Sequence, residues 1–211
     1  LRHSLEAYTG KDLTPFFENW VFNPGFPHFE ITNLDIEQKG GFYKVTGNIR
    51  QKLHEAPKYF TEVPLTISAF KKNWDTVNYH LKVSGKNTNF SYRLGFDPVF
   101  IGLDLESQVS DAKTTTLQKV TKATSYDLQR AKMKLDVNNL QDSSLLLVEH
   151  NLVKAERYPG NNPGYRLSNH QYWSVNGDLS SGLDASASIQ YDQKDDPDQL
   201  NLSNTDSFKL L

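Results

Sequence analysis

Apolar residues recur at every second position along most of this chain. Val45, Ile49 and Leu53 fall among Lys44, Asn48 and Arg50, and Val63, Leu65 and Ile67 alternate with Glu62, Thr66 and Ser68. Val77, Tyr79, Leu81 and Val83 form a third stripe, Phe90, Tyr92, Leu94 and Phe96 a fourth, and Val99, Ile101, Leu103 and Leu105 a fifth. A period of two sends successive side chains to opposite faces, so each stripe predicts a half-buried strand. Pro64 cannot donate to a ladder and predicts an edge or a bulge. Lys86-Asn87-Thr88, between two stripes, predicts a hairpin turn. Further on, Met133, Leu135 and Val137 alternate, as do Leu146, Val148, His150 and Leu152, and then Leu183, Ala185, Ala187, Ile189 and Tyr191. Residues 117–131 carry Leu117, Val120, Leu128 and Ala131 among threonines and tyrosine, and we read them as strands.

Residues before Glu30 follow another period. Leu1, Leu5 and Tyr8 are helically spaced over residues 1–9, and Gly10 supplies a C-terminal stop. Asp12 can cap a second helix of about ten residues, with Pro15 tolerated in its first turn. Leu13, Phe16, Phe17 and Trp20 share one side of it, and Asn23-Pro24-Gly25 ends it. A helix this short cannot bury so many large apolar groups by itself, which predicts that Trp20 lies closer to the sandwich than Phe16 or Leu1. The pattern as a whole predicts a mainly β chain: a short N-terminal helical segment followed by two antiparallel β-sandwich modules. The polar stretch Ser107 to Thr116 is the expected boundary between them.

Charge changes the picture only by exclusion. The 211 residues carry 23 basic and 25 acidic side chains, net −2, with a pI near 6.3. That balance gives no reason to expect nucleic acid or an anionic membrane as partner. No apolar run approaches the ~20 residues needed to span a bilayer. Cysteine is absent, which removes disulfides, thiolate chemistry and cysteine-ligated zinc together. The chain opens on Leu1 rather than Met, which predicts a segment of a longer protein.

Candidate chemistry is sparse. His54-Glu55 begins like the zinc-peptidase pattern H-E-x-x-H, but residue 58 is Lys, and Pro57 would break the helix that must present both histidines. The histidines (His3, His28, His54, His80, His150, His170) lack the spacing of a ligand pair, and core or surface roles are expected for them. Asp192 to Asp198 lacks the glycine and distal glutamate of a calcium loop, so a solvated hairpin tip is the expectation. Residues 158–173 combine two Pro-Gly turns with Tyr158, Tyr165, Tyr172 and Trp173, aromatics that can stack on sugar rings or cover the end of a core. Asn89-Phe90-Ser91 and Asn201-Leu202-Ser203 fit the glycosylation sequon. No nucleophile elbow and no phosphate loop occurs. Catalytic, cofactor-binding and metal residues are accordingly expected to be none within this chain.

The segment "LEAYTGKDLTPFFENWVFNPGFPHFEI" resembles the end of the catalytic domain in zinc aminopeptidases of the aminopeptidase N type. Leu5, Glu6, Gly10, Asp12, Leu13, Phe16, Phe17, Trp20, Gly25 and Pro27 match that motif in order. Gln51-Lys52, Pro64-Leu65-Thr66-Ile67 and Pro98 to Asp104 resemble the landmarks of the β-sandwich that follows it. The resemblance covers residues 1 to about 111; "VEHNL" and "LSNHQYW" in the remainder are similar to a second β-module of some bacterial secreted members.

The resemblance implies that residues 1–27 are the terminal helices of a catalytic domain, 28–111 a first β-sandwich module and 112–211 a second. The family's zinc ligands and catalytic residues all precede the matched motif, so none maps onto a position here. Zinc is then expected in the parent's catalytic domain, and no cofactor in this chain. The implied function is a non-catalytic C-terminal region of a zinc metallopeptidase, buttressing the catalytic domain and shaping substrate access. Its expected partners are that domain, intramolecularly, and peptide substrates through the parent. Its expected location is extracytoplasmic: periplasmic, cell-surface or secreted. The competing class is a carbohydrate- or cell-surface-binding module that uses the 158–173 loop.

Overall fold

A computed structural model describes residues 1–156 and 167–190. Among these described residues two short helices, α1 (Arg2–Thr9) and α2 (Thr14–Trp20), precede twelve strands. The first six are β1 (Phe26–Lys39), β2 (Phe42–His54), β3 (Val63–Phe70), β4 (Thr76–Val83), β5 (Asn87–Leu94) and β6 (Phe100–Leu103). The others are β7 (Lys113–Val120), β8 (Ser125–Leu128), β9 (Met133–Asn139), β10 (Ser144–Asn151), β11 (Tyr172–Asp178) and β12 (Asp184–Ile189). All pairings are antiparallel, in sheets ordered β1-β2-β5, β4-β3-β6, β11-β10-β7 and β12-β9-β8. The chain is mainly β, as the alternation predicts.

Most buried apolar residues among those described fall into two clusters. Phe29, Val45, Ile49 and Leu94 from β1-β2-β5 meet Val63, Leu65, Ile67, Ala69, Val83, Ile101 and Leu103 from β4-β3-β6. Val120, Leu146 and Val148 from β11-β10-β7 meet Leu128, Met133, Leu135 and Val137 from β12-β9-β8. Each cluster is one face of each of two sheets, the arrangement of a sandwich. The ambiguous residues 117–131 hold the end of β7, all of β8 and a 3-10 turn over Gln129–Ala131. Tyr191 and Asp192 to Asp198 lie outside the described residues, as do Tyr158, Tyr165 and Asn201.

Several local expectations are corrected. Lys86-Asn87-Thr88 is not a hairpin turn: β4 and β5 belong to different sheets, and Asn87 and Thr88 already lie in β5. Gly85, at φ 71 and donating to the carbonyl of Phe60, turns the chain from one sheet to the other. Pro64 sits in the central strand of its sheet, but β6 pairs β3 only from Ile67 to Phe70, so one side of the ladder is open at residue 64. The polar stretch does not run loosely to Thr116, because Lys113–Thr116 is strand. What precedes it is pinned by Asp104, a buried carboxylate that accepts from the amides of Gln108 (3.1 Å) and Val109 (3.3 Å). Helix α2 is shorter than expected, and Asp12 holds its start by accepting from Thr14 N at 2.8 Å.

The central strand β10 is buried on both faces. Leu146 and Val148 face the second core, while Leu145 and Leu147, on the opposite face, are equally inaccessible at 0% and 4% exposure. Register explains the cover. Leu145 stands between Lys119 and Asp178, and Trp74 donates from Nε1 to Asp178 Oδ2 (2.9 Å) while Lys119 Nζ lies 5.7 Å from its ring. The indole therefore spans the row that contains Leu145. At the other end of β10, His28 of β1 reaches Asn151. The first module thus closes the second face of the β11-β10-β7 sheet.

Trp74 holds this position at φ 65, a left-handed backbone that a bulky residue adopts only when its surroundings enforce it. Trp74→Ala should lower unfolding free energy by ~2 kcal/mol in a urea titration and speed hydrogen exchange at the β10 amides. Unchanged exchange at β10 would mean that the indole does not shield Leu145.

Candidate functional site

Two constructions stand out, the helical segment and the junction under β10. The helical segment is fixed to the first sandwich on one side only. Asn19, buried, donates from Nδ2 to the Thr61 carbonyl (2.7 Å) and accepts from Thr61 N (3.2 Å), so its amide is held by one backbone unit as a neighbouring strand would be. Trp20 packs on Phe60 with centroids 4.9 Å apart, and Lys58 Nζ meets Glu18 Oε2 at 2.6 Å. Glu6 links the helices by accepting from Leu13 N at 3.1 Å. Gly25 then lets β1 begin: its φ is 81, and a Cβ there would lie 2.4 Å from Ala56 N.

The other side of the helices is apolar and open. Helix α1 buries no residue. Leu1 and Tyr8 are each 88% exposed, and Phe16, Val21 and Phe22 each more than half. The rings of Phe16, buried Phe17 and Phe22 run in sequence with centroids 5.7 Å apart, so the patch is continuous across α2. Trp20 does lie closer to the sandwich than Phe16 or Leu1. Phe16 lies one turn before Trp20 on the same side of α2, so position along the helix carries that difference: only its C-terminal end reaches Phe60 and Thr61, and the pinning role of Asn19 has no hydrophobic signal.

The junction under β10 is polar at its β1 end. His28 is 0% exposed and donates from Nε2 to Asn151 Oδ1 at 2.8 Å, which leaves Nδ1 bare. Burial pushes His28 down to about 4, so the ring is neutral near pH 7. Lys113, in register with Asn151, meets Glu149 Oε1 at 2.7 Å with only 3% of its side chain exposed. Burial disfavours that ammonium, but Glu149, Asp111 and Asp104 together raise it above the ordinary lysine range. Ser174 donates to Glu149 Oε2 at 3.3 Å and so joins β11 to the network. Asp111 has a buried Oδ2 without a partner, and burial pushes its carboxyl up to about 7 against the pull of Lys113. Backbone continues the link: Ala112 N donates to Pro27 O (2.7 Å), and Leu152 N to Ala112 O (2.8 Å).

The residues singled out from sequence scatter over the molecule. His54 ends β2 and Glu55 turns left-handed at φ 56, so no helix presents that pair. Among the described residues no three His, Asp or Glu side chains converge as a metal-holding group. Gln51 pins the loop before β3 by accepting from Phe60 N (2.7 Å) and donating to Phe60 O and Gly85 O. Tyr172 and Trp173 point to opposite faces of β11, as successive strand residues must, and cannot make one platform. Trp173 stacks on His150 at 4.3 Å, packs on the second core and donates from Nε1 to Ala131 O at 2.7 Å. Tyr172 lies under Lys52 Nζ at 5.7 Å, toward the first module. No family model, curated protein or solved structure matches this chain.

Replacing Trp20 by Ala should destabilise the chain by ~3 kcal/mol, whereas Leu5→Ser, on a helix that buries nothing, should change little. Equal shifts in paired urea curves would mean that the helices form their own core. Asp111 supplies a pH test. Between about pH 4 and 7 the folded chain keeps a proton there that the unfolded chain has released, so this group lowers stability as pH rises through that window. His28 acts oppositely, since its depressed value makes folding less favourable as pH falls from 6.5 toward 4. Asp111→Asn should therefore gain stability relative to wild type toward neutral pH, by ~1–3 kcal/mol, with the gain shrinking toward pH 4. A pH-independent difference would contradict the buried carboxyl.

Proposed function

We propose that this chain is the non-catalytic C-terminal region of a zinc aminopeptidase, in which two joined β-sandwiches buttress a catalytic domain through the open face of α1 and α2. The supporting observation is the asymmetry of the helical segment. Asn19, Trp20 and Lys58 fix the C-terminal end of α2 to the first sandwich, while Leu1, Tyr8, Phe16, Val21 and Phe22 remain exposed. Contiguous apolar surface of this kind marks an interaction site. The matched motif spans these same helices and runs on through Gly25 into β1 at Pro27. On this reading the chemistry belongs to the partner domain, with zinc held there, and the sandwiches fix the position of its last helices.

The test is expression of the reading frame that contains this chain, with and without its sandwiches. The longer protein should release an aminoacyl chromophore in a chelator-sensitive reaction, and the 211-residue chain alone should release none. Phe16→Ser with Phe22→Ser should lower the melting temperature of the longer protein by several degrees while barely moving that of the chain alone. Turnover by the chain itself, or a reading frame without H-E-x-x-H ahead of Leu1, would overturn the proposal.

A further inference from the structure

A polar depression of about 670 Å³ lies on the outer face of the β1-β2-β5 sheet, the face from which His28 reaches Asn151, and continues that face beyond Glu30. Its lining is Thr32, Asn33, Asn48, Arg50, Asn87, Asn89 and Glu156. Strand register builds it. Thr32, Asn48 and Asn89 form one cross-strand row, and Glu30, Arg50 and Asn87 form the next. A register shift in β1 between Thr32 and Asp35, with Asn33 at φ 50, turns Asn33 into the same concavity. Glu156 closes one side by meeting Arg50 Nη2 at 2.5 Å.

Two features set the chemistry of an occupant. The amide side chains of Asn33, Asn48, Asn87 and Asn89 have no hydrogen-bond partner among the described residues, so each offers two donors and an acceptor toward one space. Fixed charge is balanced beside them. Arg50 donates from Nε to Glu30 Oε1 (2.7 Å), Lys52 meets the same oxygen at 3.1 Å, and Glu156 is the second carboxylate, two cations against two anions. An anionic ligand would gain no net attraction here, and no aromatic ring in the lining offers a stacking face for a planar one. Paired donors and acceptors at strand spacing, without net charge, suit a neutral ligand rich in adjacent hydroxyls. The volume is within the range of small-molecule sites.

We propose that this face binds a neutral saccharide, with Asn48 and Asn89 supplying the central contacts and the Glu30–Arg50–Glu156 ion pairs fixing the rim. The site is separate from the helical face and stands whether or not that face docks a catalytic domain. Its lining includes neither Tyr172 nor Trp173, although Lys52, paired with Glu30 at the rim, lies 5.7 Å from the Tyr172 ring.

The full chain, made in a host without N-glycosylation so that Asn89 of the sequon keeps its amide, would be screened on an array of neutral oligosaccharides. The best binder would then be titrated by calorimetry. Asn48→Ala and Asn89→Ala should each weaken binding about tenfold, the loss expected from one or two hydrogen bonds. Asn78→Ala, an exposed asparagine on the opposite sheet, should leave binding unchanged. All three positions are solvent-accessible, and unaltered melting curves would show that each variant is folded. Absence of any bound glycan, binding that survives both alanine variants, or binding abolished by Trp173→Ala alone would each overturn the assignment. None of these results bears on the peptidase reading, whose test is chelator-sensitive turnover.

Discussion

The burial of β10 on both faces is the constraint around which this molecule is organised. A strand in a simple sandwich needs one apolar face, and its other face can be polar. Leu145 and Leu147 make that impossible here, because leaving both in water would forgo several kcal/mol of burial, at ~1.5–3 kcal/mol each. The first module supplies the missing cover, with Trp74 at one end of the strand and His28 at the other. The two sandwiches therefore meet at both ends of this strand rather than through a flexible linker.

The polar end of that junction serves a different purpose from its apolar middle. A buried ion pair such as Lys113–Glu149 contributes little net stability against well-packed apolar groups, because desolvation offsets the attraction. Breaking it costs far more, since one charge would be left alone. Ser174, Glu149 and Lys113 bond within one sheet, and His28 donates to Asn151 across the modules only when β1 and β10 stand in one relative position. The network thus favours a single docking geometry. The bare Oδ2 of Asp111 is its least satisfied member, and burial keeps that carboxyl protonated to higher pH than an ordinary aspartate.

The helical segment follows from the same rigidity. Its inner side needs a fixed wall, which the loop around Phe60 and Thr61 provides, itself held by Gln51 of β2. That wall holds the Phe16–Phe17–Phe22 patch in one orientation, which the proposed docking on another domain would need. The asparagine rows on the β1-β2-β5 sheet depend on rigidity less. Ladder register alone aligns Thr32, Asn48 and Asn89.

How much of this was legible in the sequence depends on the range of the interaction. The period-two stripes of β2, β3, β4, β9 and β12 follow from local alternation, and Gly10 and Pro24-Gly25 punctuate the helices, so fold class and most elements could be read directly. The run Leu145-Leu146-Leu147-Val148 carried a further signal, two apolar faces, which the reading of one stripe through Leu146 and Val148 passed over. Other features have no local signature. Lys86-Asn87-Thr88 reads as a hairpin because turn residues do not reveal whether the flanking strands share a sheet. Asn48 and Asn89 lie 41 positions apart and His28 and Asn151 lie 123 apart, as polar residues with no pattern linking them. Alternation determined which residues face a core in the strands with one buried face, such as β4 and β5, since that depends on neighbours two positions away. Only the tertiary structure decided which faces meet, because pairing and docking join residues whose separation along the chain carries no periodic trace.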